Sequence, residues 1–594
     1  MGIVTGIKSL FKNIPLLFVI IVAILASRTL LFQNGYFNMH DDLQMMRQLQ
    51  LEKCFLDGQI PCRWVPDMGY GFGFPLFNFY PPLPYLIGQI FRVMGASFVN
   101  TARYMFAASF FVSGIAMYYF SKEFLGKLGG VVSAVFYIWA PYHAVDIYVR
   151  GAANEAWALA WFPLLLLTSY KLIYASDKRE GRMWSIGLAL SYAALLLTHN
   201  LMVLIFTPVL GVWALLHLWQ SSHWKKLVPL ALSGLWGIAL AAFSTLPALV
   251  ENKYTQLESQ LQGYYNYTAH FVSVRQLLFS RFWGYGPSVW LEEDGMSFQI
   301  GHLHWIVSLV VILVVGWKLL LLLRNKKGER MTSLKNDKLL LIVVFMFVVG
   351  WFSAFLTHPK SIFVWTTISQ LRFTQFPWRF LTLTIFGLSF VVGAIPALMT
   401  SNKKIINIAT FPLKNLFAWT LVILLIVYNW NYFLPEYGKL GPLTDEQKFT
   451  DFAWDLQQTA GIYDYLPSTA VMAPRAPMKD LGEVMEGEAR VTDQKLGTDW
   501  GEFRIDAVSD TTVRIGIFKF PGWKIYSDGV EVTNYIPETE EWGRMYIDLP
   551  SGMHNVRAEF TNTPIRTLAN GISLVGWGIL GYCVFFGVKQ SKTK

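Results

Sequence analysis

The chain has few charged residues for its length, and this scarcity defines its class. Only 15% of its 594 residues are Asp, Glu, Lys or Arg, whereas 54% are hydrophobic and the mean hydropathy is +0.38. Soluble domains carry about 25% charged residues. The composition therefore excludes an ordinary soluble enzyme and predicts an α-helical polytopic membrane protein.

Several catalytic and energy-coupling motifs are also missing. No G-x-x-x-x-G-K-[ST] phosphate loop occurs, which argues against a pump driven by cytoplasmic ATP. No Ser/His/Asp triad or C-x-x-C pair stands out, and His302 and His304 are spaced i, i+2, which does not put both on one helix face. The chain has three cysteines. Cys583 lies in an apolar segment, and for Cys54 and Cys62 a disulfide and two free thiols are both open.

Long apolar segments recur along the chain, and most reach the roughly 17–25 residues that a spanning helix needs. About twelve spans are predicted, at residues 14–32, 100–121, 128–145, 155–175, 184–198, 200–219, 227–250, 302–324, 338–357, 378–399, 413–433 and 567–588. The first is expected to be an uncleaved helix, because its apolar run continues past a weak signal-peptide site. Residues 77–94 are expected to form a juxtamembrane or re-entrant helix, since Pro81 and Pro82 disfavour a regular helix there.

The formal net charge of +10 comes from basic residues in short loops between the apolar segments. This is the positive-inside pattern rather than a nucleic-acid patch. Placing those loops inside predicts a plasma (inner) membrane protein with both termini cytoplasmic and its active site extracytoplasmic. The segments expected outside are 33–99, 141–155, 198–200, 251–301, 358–378 and 434–566.

Three regions follow from this topology: a transmembrane domain over 1–433 with a large first outer loop (33–99), an extracytoplasmic β-rich domain over 434–566, and a final span with a basic cytoplasmic tail over 567–594. Residues 463–498 are expected to be loop-rich. Period-two alternation then predicts an antiparallel, sandwich-like β domain before the last helix. The alternating segments are 502–508, 512–517, 544–549 and 554–560.

Asp41 and Asp42 follow the first span and are the strongest candidates for chemistry. A carboxylate there can deprotonate an acceptor hydroxyl, or hold a divalent cation against a phosphate leaving group. A structural cap at the start of the next helix is an equally open interpretation, because Asp is common at helix starts. The surrounding stretch, 34–95, is rich in Gly-x-Gly-x-Pro turns and aromatics and predicts a structured, wet, aromatic-lined ledge.

Asp146, Arg150 and Glu155 form the second candidate group, in an outer loop close to apolar helix ends where unpaired charge is unfavourable. Arg150 is suited to gripping a phosphate, and Asp146 or Glu155 to sharing a metal ion with Asp41. An internal Arg–carboxylate pair that stabilises the loop is an equally open alternative.

Arg372 and Arg379 flank an aromatic segment at another outer entry to the membrane. Arginine beside aromatics suits a lipid-linked phosphate, since guanidinium takes the oxygens and the rings take the chain. For Trp378 alone, anchoring in the interfacial aromatic belt is the favoured interpretation. His199 lies in a tight outer hairpin and is either a ligand contact or a polar turn residue.

These motifs together resemble the GT-C superfamily of polytopic membrane glycosyltransferases. The points of resemblance are the acidic pair after the first span, the Pro-Pro-Leu-x-Tyr stretch 81–85 and the acidic residue Asp146 in the second outer loop. A bacterial group labelled "6-pyruvoyl-tetrahydropterin synthase-related" membrane proteins is more closely similar. The segments that carry this second resemblance are 40–42, 148–151, 198–200, 375–379 and 520–523. The chain offers no convincing histidine cluster for the zinc site that the pterin label would need.

The resemblance implies an inverting transfer of a sugar from a polyprenyl-phosphate donor to an extracytoplasmic acceptor: a cell-envelope glycan, a lipid or a protein. Asp41 is then expected to be the catalytic base, with Asp42 second, and Asp146 and Glu155 to bind a divalent cation (Mg or Mn) or the acceptor. The residues expected to contact substrate are His40, Tyr80, Arg150, His199, Arg372 and Arg379. Members of the superfamily often carry Lys before the Pro-Pro, and here Tyr80 takes that place.

The partners implied are membrane lipids, the lipid-linked donor and the acceptor, and no nucleic acid. A lipid or polysaccharide transporter and a non-catalytic scaffold for envelope assembly are the alternative functions. A transporter would need a continuous polar path through the spans.

Overall fold

The structure is a computed structural model that describes residues 13–256, 259, 261–289, 293–324, 327–401, 411–436 and 443–589. The basic loop 402–410 and the predicted basic tail from residue 590 lie outside the described residues.

Most of the described chain is α-helical. The α-helices are Ile14–Ala26, Arg28–Phe32, Gln44–Leu56, Leu76–Phe79, Leu83–Val93, Phe98–Ile138, Pro141–Tyr148, Ala153–Ile173, Lys178–Leu196, Asn200–Ser221, Leu227–Glu251, Val274–Leu278, His302–Leu323, Lys327–Asn336, Lys338–Leu356, Ile362–Thr367, Leu381–Gly393, Ile395–Ser401, Phe411–Asn429, Asp445–Lys448, Asp451–Thr459, Ile462–Tyr465 and Pro564–Lys589. The break between Leu76–Phe79 and Leu83–Val93 falls at Pro81 and Pro82, as the proline chemistry predicts.

Nine helices within the described ranges are long and apolar enough to cross a membrane. One of these nine, Phe98–Ile138, has 41 residues and contains a kink at Gly126 (φ 72°) that joins two helices, which correspond to the predicted spans 100–121 and 128–145. Ile14–Ala26 has only 13 residues, and Lys178–Leu196 is helical but opens on a charged turn and is not among the nine. The polytopic helical class is therefore confirmed, whereas the number of about twelve spans is not.

The chain divides into two compact units. The first comprises residues 1–42, 102–237 and 264–442, and the second comprises 43–101, 238–263 and 443–594. The first outer loop beyond Asp42 thus belongs to the same unit as the β-rich segment. The domain boundaries at 433 and 566 stay predictions.

Eight strands in the second unit form two antiparallel sheets, with orders β1-β4-β7 and β2-β3-β8-β5-β6. The strands are β1 Gly482–Glu486, β2 Ala489–Leu496, β3 Trp500–Ala507, β4 Thr511–Phe518, β5 Trp523–Ser527, β6 Val530–Val532, β7 Arg544–Leu549 and β8 Gly552–Phe560. Alternate side chains are buried, such as Phe503 and Ile505 on β3 and Val513 and Ile515 on β4. The predicted β domain before the last helix is confirmed.

The prediction of a loop-rich segment over 463–498 is wrong for its second half, where β1 and β2 form. β2 is an edge strand that pairs only with β3, and most of its side chains are exposed. Because neither face of β2 is fully buried, its sequence carries no apolar alternation, and the period-two signal is lost.

The stretch after Asp42 is structured, and its aromatic part around Trp64 is buried rather than open to solvent. Trp64 is 2% exposed, and its indole packs against the rings of Phe520, Trp523 and Phe560 at centroid distances of 6.0, 5.4 and 5.3 Å. Gly73 has a φ of 85°, and the Trp64 indole occupies the space into which a Cβ at position 73 would project. The expected aromatic ledge is therefore part of the hydrophobic core of the second unit.

Candidate functional site

A buried cluster of arginine and carboxylate side chains lies in the first unit, where helix Pro141–Tyr148 ends and helix Ala153–Ile173 begins. Gly151 allows the reversal between the two helices, because it adopts a φ of 62°, which disfavours residues with a Cβ. A Cβ at this position would also meet the Met39 side chain. The glycine thus lets the segment before Asp41 lie against the loop.

Arg150 is the centre of this cluster. Its Nη1 donates to Asp146 Oδ1 and, at 3.1 Å, to Tyr142 Oη. Its Nη2 lies 2.8 Å from Glu155 Oε2, and Tyr142 Oη donates to Glu155 Oε1 at 2.8 Å. The exposed fractions of Asp146, Glu155 and Arg150 are 0%, 1% and 6%. The interpretation as an internal Arg–carboxylate pair is therefore what the geometry shows for these residues.

Arg379 joins the cluster from a distant segment. Its Nε lies 3.4 Å from Glu155 Oε2, and its Nη1 donates to Thr374 O at 2.8 Å and to Gln375 Oε1 at 3.2 Å. Two guanidinium groups thus share the Glu155 carboxylate, and a buried patch with two cations is formed.

Aromatic rings cover both guanidinium groups. The Arg150 Cζ lies 4.4 Å from the Trp378 ring centroid, and the Arg379 Cζ lies 4.9 Å from that of Phe376. Phe376 and Trp378 stack with centroids 4.7 Å apart. Trp378 is 3% exposed and contacts the cluster, so it is not a simple interfacial anchor.

Burial governs the protonation of the loop residues. The pKa of Asp146 is raised well above its usual range by burial and by the negative charge of Glu155, and Arg150 only partly opposes this. Burial alone would lower the pKa of Arg150, but the nearby Glu155, Tyr142 and Asp146 groups raise it above its usual value. The neighbouring groups therefore keep Arg150 charged in a buried place.

The acidic pair lies beside this cluster in the first unit. His40 N donates to Val149 O at 3.0 Å, and Asp41 N donates to Arg150 O at 2.9 Å. Asp41 and Asp42 are both half-buried. The N-cap position of the following helix is taken by Leu43, so neither aspartate occupies the predicted cap position.

Tyr285 packs onto the acidic segment from another loop of the first unit. Its Oη donates to Met39 O at 2.7 Å, and its ring lies 4.5 Å from that of His40. Burial and the Asp42 charge raise the pKa of Tyr285, which keeps its phenol protonated. No sequence pattern distinguishes Tyr285 or Tyr142 as a site residue, because each is one of many aromatic residues in the chain.

His199 lies next to the cluster, whereas Arg372 does not join it. Nδ1 of His199 accepts a hydrogen bond from Leu201 N at 3.2 Å, which is a helix-capping contact. Burial and the positive charge of Arg379 lower the pKa of His199 to about 3, so the imidazole is neutral at physiological pH. Arg372 is exposed and lies 5.3 Å from the adjacent Phe373 ring.

Tyr80 belongs to the second unit, and its neighbour there is a cation. Arg47 Nη1 donates to Tyr80 Oη at 3.1 Å, and the Arg47 guanidinium lies 4.3 Å from the Tyr80 ring centroid. Arg47, which the sequence did not single out, is 5% exposed.

The second unit contains a further buried ion pair that sequence reasoning missed. Glu251 Oε2 accepts from Arg566 Nε at 3.0 Å and from Asn78 Nδ2 at 2.8 Å, and Arg63 donates to Asn78 Oδ1 at 3.2 Å. Arg566 is 0% exposed. These contacts link three distant segments and have a structural role.

The residues predicted to bind a metal ion do not fit that role. Asp146 and Glu155 give their oxygens to guanidinium groups. Among the residues that the structure describes, no group of three or more His, Cys, Asp or Glu side chains is arranged to hold a metal ion. The dependence on Mg or Mn therefore stays a prediction.

Comparisons with known proteins extend this description only slightly. No family model matches the chain. An uncharacterized protein of Lactococcus lactis subsp. cremoris (strain MG1363) is 24% identical over 343 residues, which cover 55% of this chain and 53% of that protein. The chain thus matches about half the length of this relative.

Among solved structures, the oligosaccharyltransferase of Archaeoglobus fulgidus in its apo form is similar with a TM-score of 0.45 and 12% identity, over 80% of this chain and 62% of that one. The same archaeal enzyme, AglB, in complex with an inhibitory peptide and a dolichol-phosphate gives a TM-score of 0.41 and 12% identity, with the same coverage. TM-scores below 0.5 do not establish a shared fold, so the GT-C and pterin-synthase-related resemblances stay predictions.

Proposed function

We propose that this protein is a membrane glycosyltransferase that moves a sugar from a polyprenyl-phosphate-linked donor to an extracytoplasmic acceptor. The observation that carries the proposal is the backbone pairing of His40 and Asp41 with Val149 and Arg150. This pairing sets an acidic pair beside a buried, doubly cationic patch. A base next to fixed cations is the arrangement that transfer from a phosphate leaving group requires.

In the proposed reaction, Asp41 accepts the proton of an acceptor hydroxyl. The hydroxyl oxygen attacks the anomeric carbon, the bond between that carbon and the phosphate oxygen breaks, and its electron pair leaves with the polyprenyl phosphate. A single displacement of this kind inverts the anomeric centre. Asp42 is the second candidate for the base, and His40 and Tyr285 position this segment.

Arg150 and Arg379 are proposed to stabilise the charge that develops on the leaving phosphate. Guanidinium groups take phosphate oxygens in pairs, and their hydrogen bonds strengthen when they are shielded from water. The geometry supports this role, because the Arg150 and Arg379 guanidinium groups both contact the Glu155 carboxylate. A phosphate oxygen is a further acceptor that suits such donors.

The surroundings suit a lipid-linked donor. The stacked rings of Phe376 and Trp378 are buried apolar groups packed beside the arginines, and the helices long enough to cross a membrane provide the setting. The disulfide between Cys54 and Cys62 supports an oxidising compartment for the opening loop, and hence an extracytoplasmic site. The acceptor class is open: glycan, lipid or protein.

The test uses the full chain purified into lipid nanodiscs and a panel of polyprenyl-phosphate sugars. Release of free polyprenyl phosphate is followed for wild type, Asp41→Asn and Asp42→Asn, with and without EDTA. Asp455→Asn is the matched control, since Asp455 is an exposed aspartate in the second unit. We expect one of the two active-site variants to lose turnover by about 10²–10⁴-fold with unchanged thermal stability, while the control keeps it.

The outcomes separate the functions under consideration. Turnover lost with EDTA would establish a dependence on a divalent cation. The proposal would be overturned if no donor released polyprenyl phosphate and if both aspartate variants matched wild type in folding and in transport or assembly assays. Lost movement of an intact lipid-linked glycan, without release of phosphate, would instead favour a transporter.

A further inference from the structure

An open cavity lies in the first unit at the end of the protein that the charge pattern places in the cytoplasm. Its volume is about 290 Å³, and its lining includes Ser176, Lys178, Gly181, Ser185 and Lys226. It opens where helix Ala153–Ile173 ends, helix Lys178–Leu196 begins and helix Leu227–Glu251 starts. Three chain segments therefore converge on one cavity with two lysines.

Lys178 and Lys226 are the two cationic side chains that line the cavity. Lys226 Nζ donates to Ala175 O at 3.1 Å, which holds its ammonium at the cavity wall while leaving two N–H donors. Lys178 is exposed. In the part of the chain that the structure describes, neither lysine forms an ion pair with a carboxylate.

Two acidic side chains lie nearby, and both have local partners. Asp177, which also lines the cavity, caps helix Lys178–Leu196 by accepting from Glu180 N at 2.8 Å. Glu180 Oε2 accepts from Ser176 N at 2.9 Å and from Ser176 Oγ at 2.8 Å. These carboxylates therefore satisfy backbone and hydroxyl donors of the loop rather than the lysines.

Beyond the cavity, the helix that carries Lys226 exposes a row of large apolar side chains. Val228, Leu232 and Leu235 are 62%, 59% and 60% exposed. They lie in a helix that is long and apolar enough to cross a membrane. A cavity lined by two lysines and a row of exposed apolar side chains thus occur near the start of the same membrane-length helix, and a phospholipid likewise combines an anionic headgroup with acyl chains.

We infer that this cavity binds the phosphate headgroup of an anionic membrane phospholipid, with its acyl chains along the exposed face of helix Leu227–Glu251. Basic pockets between membrane helices on the cytoplasmic side recognise anionic headgroups in this way. Lys178 and Lys226 supply the charge, and the Ser185 hydroxyl supplies a further donor. This lipid site is separate from the Arg150 cluster and does not depend on the proposed transferase activity.

The test is native mass spectrometry of the full chain in a neutral detergent, titrated with phosphatidylglycerol or with phosphatidylcholine. Wild type is expected to retain phosphatidylglycerol in preference to phosphatidylcholine. Each lysine replaced by alanine is expected to weaken phosphatidylglycerol binding by about fivefold. Lys178→Arg and Lys226→Arg, which keep the charge, are expected to retain most of the binding.

Lys127→Ala is the matched control, since Lys127 is an exposed basic residue in another loop predicted to be cytoplasmic and does not line the cavity. Its phosphatidylglycerol affinity is expected to equal that of wild type. Equal losses in Lys127→Ala and in Lys226→Ala would overturn the inference, because binding would then follow net charge. Full displacement of the lipid by inorganic phosphate alone would also overturn it, because the site would then select a free anion. Thermal unfolding of each variant without added lipid excludes a folding defect as the cause of lost binding.

Discussion

Replacing Arg150 with methionine is expected to destabilise the first unit strongly. The substitution removes the guanidinium that lies between two buried carboxylates, Asp146 and Glu155, and takes a donor from Tyr142. Breaking a buried ion pair by removing one partner costs about 3–5 kcal/mol, because the remaining charge is left without compensation.

Two features of the cluster place the expected loss near the lower end of that range. The pKa of Asp146 is already raised by burial and by Glu155, so this carboxyl can become neutral when Arg150 is removed. Glu155 keeps a second partner, since Arg379 Nε lies 3.4 Å from its Oε2. We therefore expect a loss of about 3 kcal/mol for Arg150→Met. Arg150→Lys, which keeps the charge but not the forked geometry, is expected to lose less.

The free energy of unfolding would be measured in nanodiscs by denaturant titration with intrinsic tryptophan fluorescence. Arg372→Met is the matched control, because Arg372 is exposed and its recorded contact is the adjacent Phe373 ring. Its effect is expected to stay within about 0.5 kcal/mol of zero. In a double-mutant cycle, Arg150→Met combined with Glu155→Gln should be less destabilised than the sum of the two single changes.

Two results would refute this reasoning. One is an Arg150→Met variant as stable as Arg372→Met, which would mean that the ion pairs contribute nothing measurable. The other is strict additivity in the cycle, since residues that share a buried ion pair must couple.

Three further predictions concern other parts of the protein. Burial lowers the pKa of His143 to about 4, so between pH 6.5 and pH 4 the unfolded chain binds a proton that the folded chain does not. The free energy of unfolding should therefore fall by about 1.4 kcal/mol per pH unit as the pH drops from 6.5 towards 4. The same dependence of stability on pH in His143→Gln as in wild type would contradict this. Gly73→Ala should destabilise more than Gly95→Ala, because both glycines have positive φ (85° and 90°) but only the first faces the Trp64 indole; equal unfolding midpoints would argue against the packing effect. Cys62→Ser should lower the free energy of unfolding by about 2.5 kcal/mol through the lost loop closure, and reductant should then lower wild-type stability to that of the variant and leave the variant unchanged.

Local patterns explain the parts of the fold that the sequence predicted well. Apolar runs of span length and strands such as β3 and β8 depend on residues close together in the chain, and their periodicity is visible without tertiary structure. The same reasoning failed for β2, an edge strand without a buried face. The predicted number of about twelve spans is not confirmed, since among the described helices Ile14–Ala26 has 13 residues and Lys178–Leu196 opens on charged residues.

The sequence predicted which residues belong to the candidate site better than it predicted the contacts between them. Asp146, Arg150 and Glu155 stand close together in the sequence, so their grouping followed from spacing alone. Their pairing did not: the sequence left a metal site and an internal ion pair equally open, and only the positions of the oxygens decide. The Glu251–Arg566 pair could not be predicted from local sequence patterns, because its members are 315 positions apart.

Tyr80 is an uncharged residue that stands directly before Pro81 and Pro82. In the second unit, however, Arg47 reaches the same point from 33 positions earlier, with its Nη1 3.1 Å from Tyr80 Oη and its guanidinium over the ring. Because Arg47 is 5% exposed, its charge is held at Tyr80 rather than dispersed in solvent. The pair therefore presents a hydroxyl and a cation together, and loss of positive charge at this point requires a change at Arg47 rather than at Tyr80.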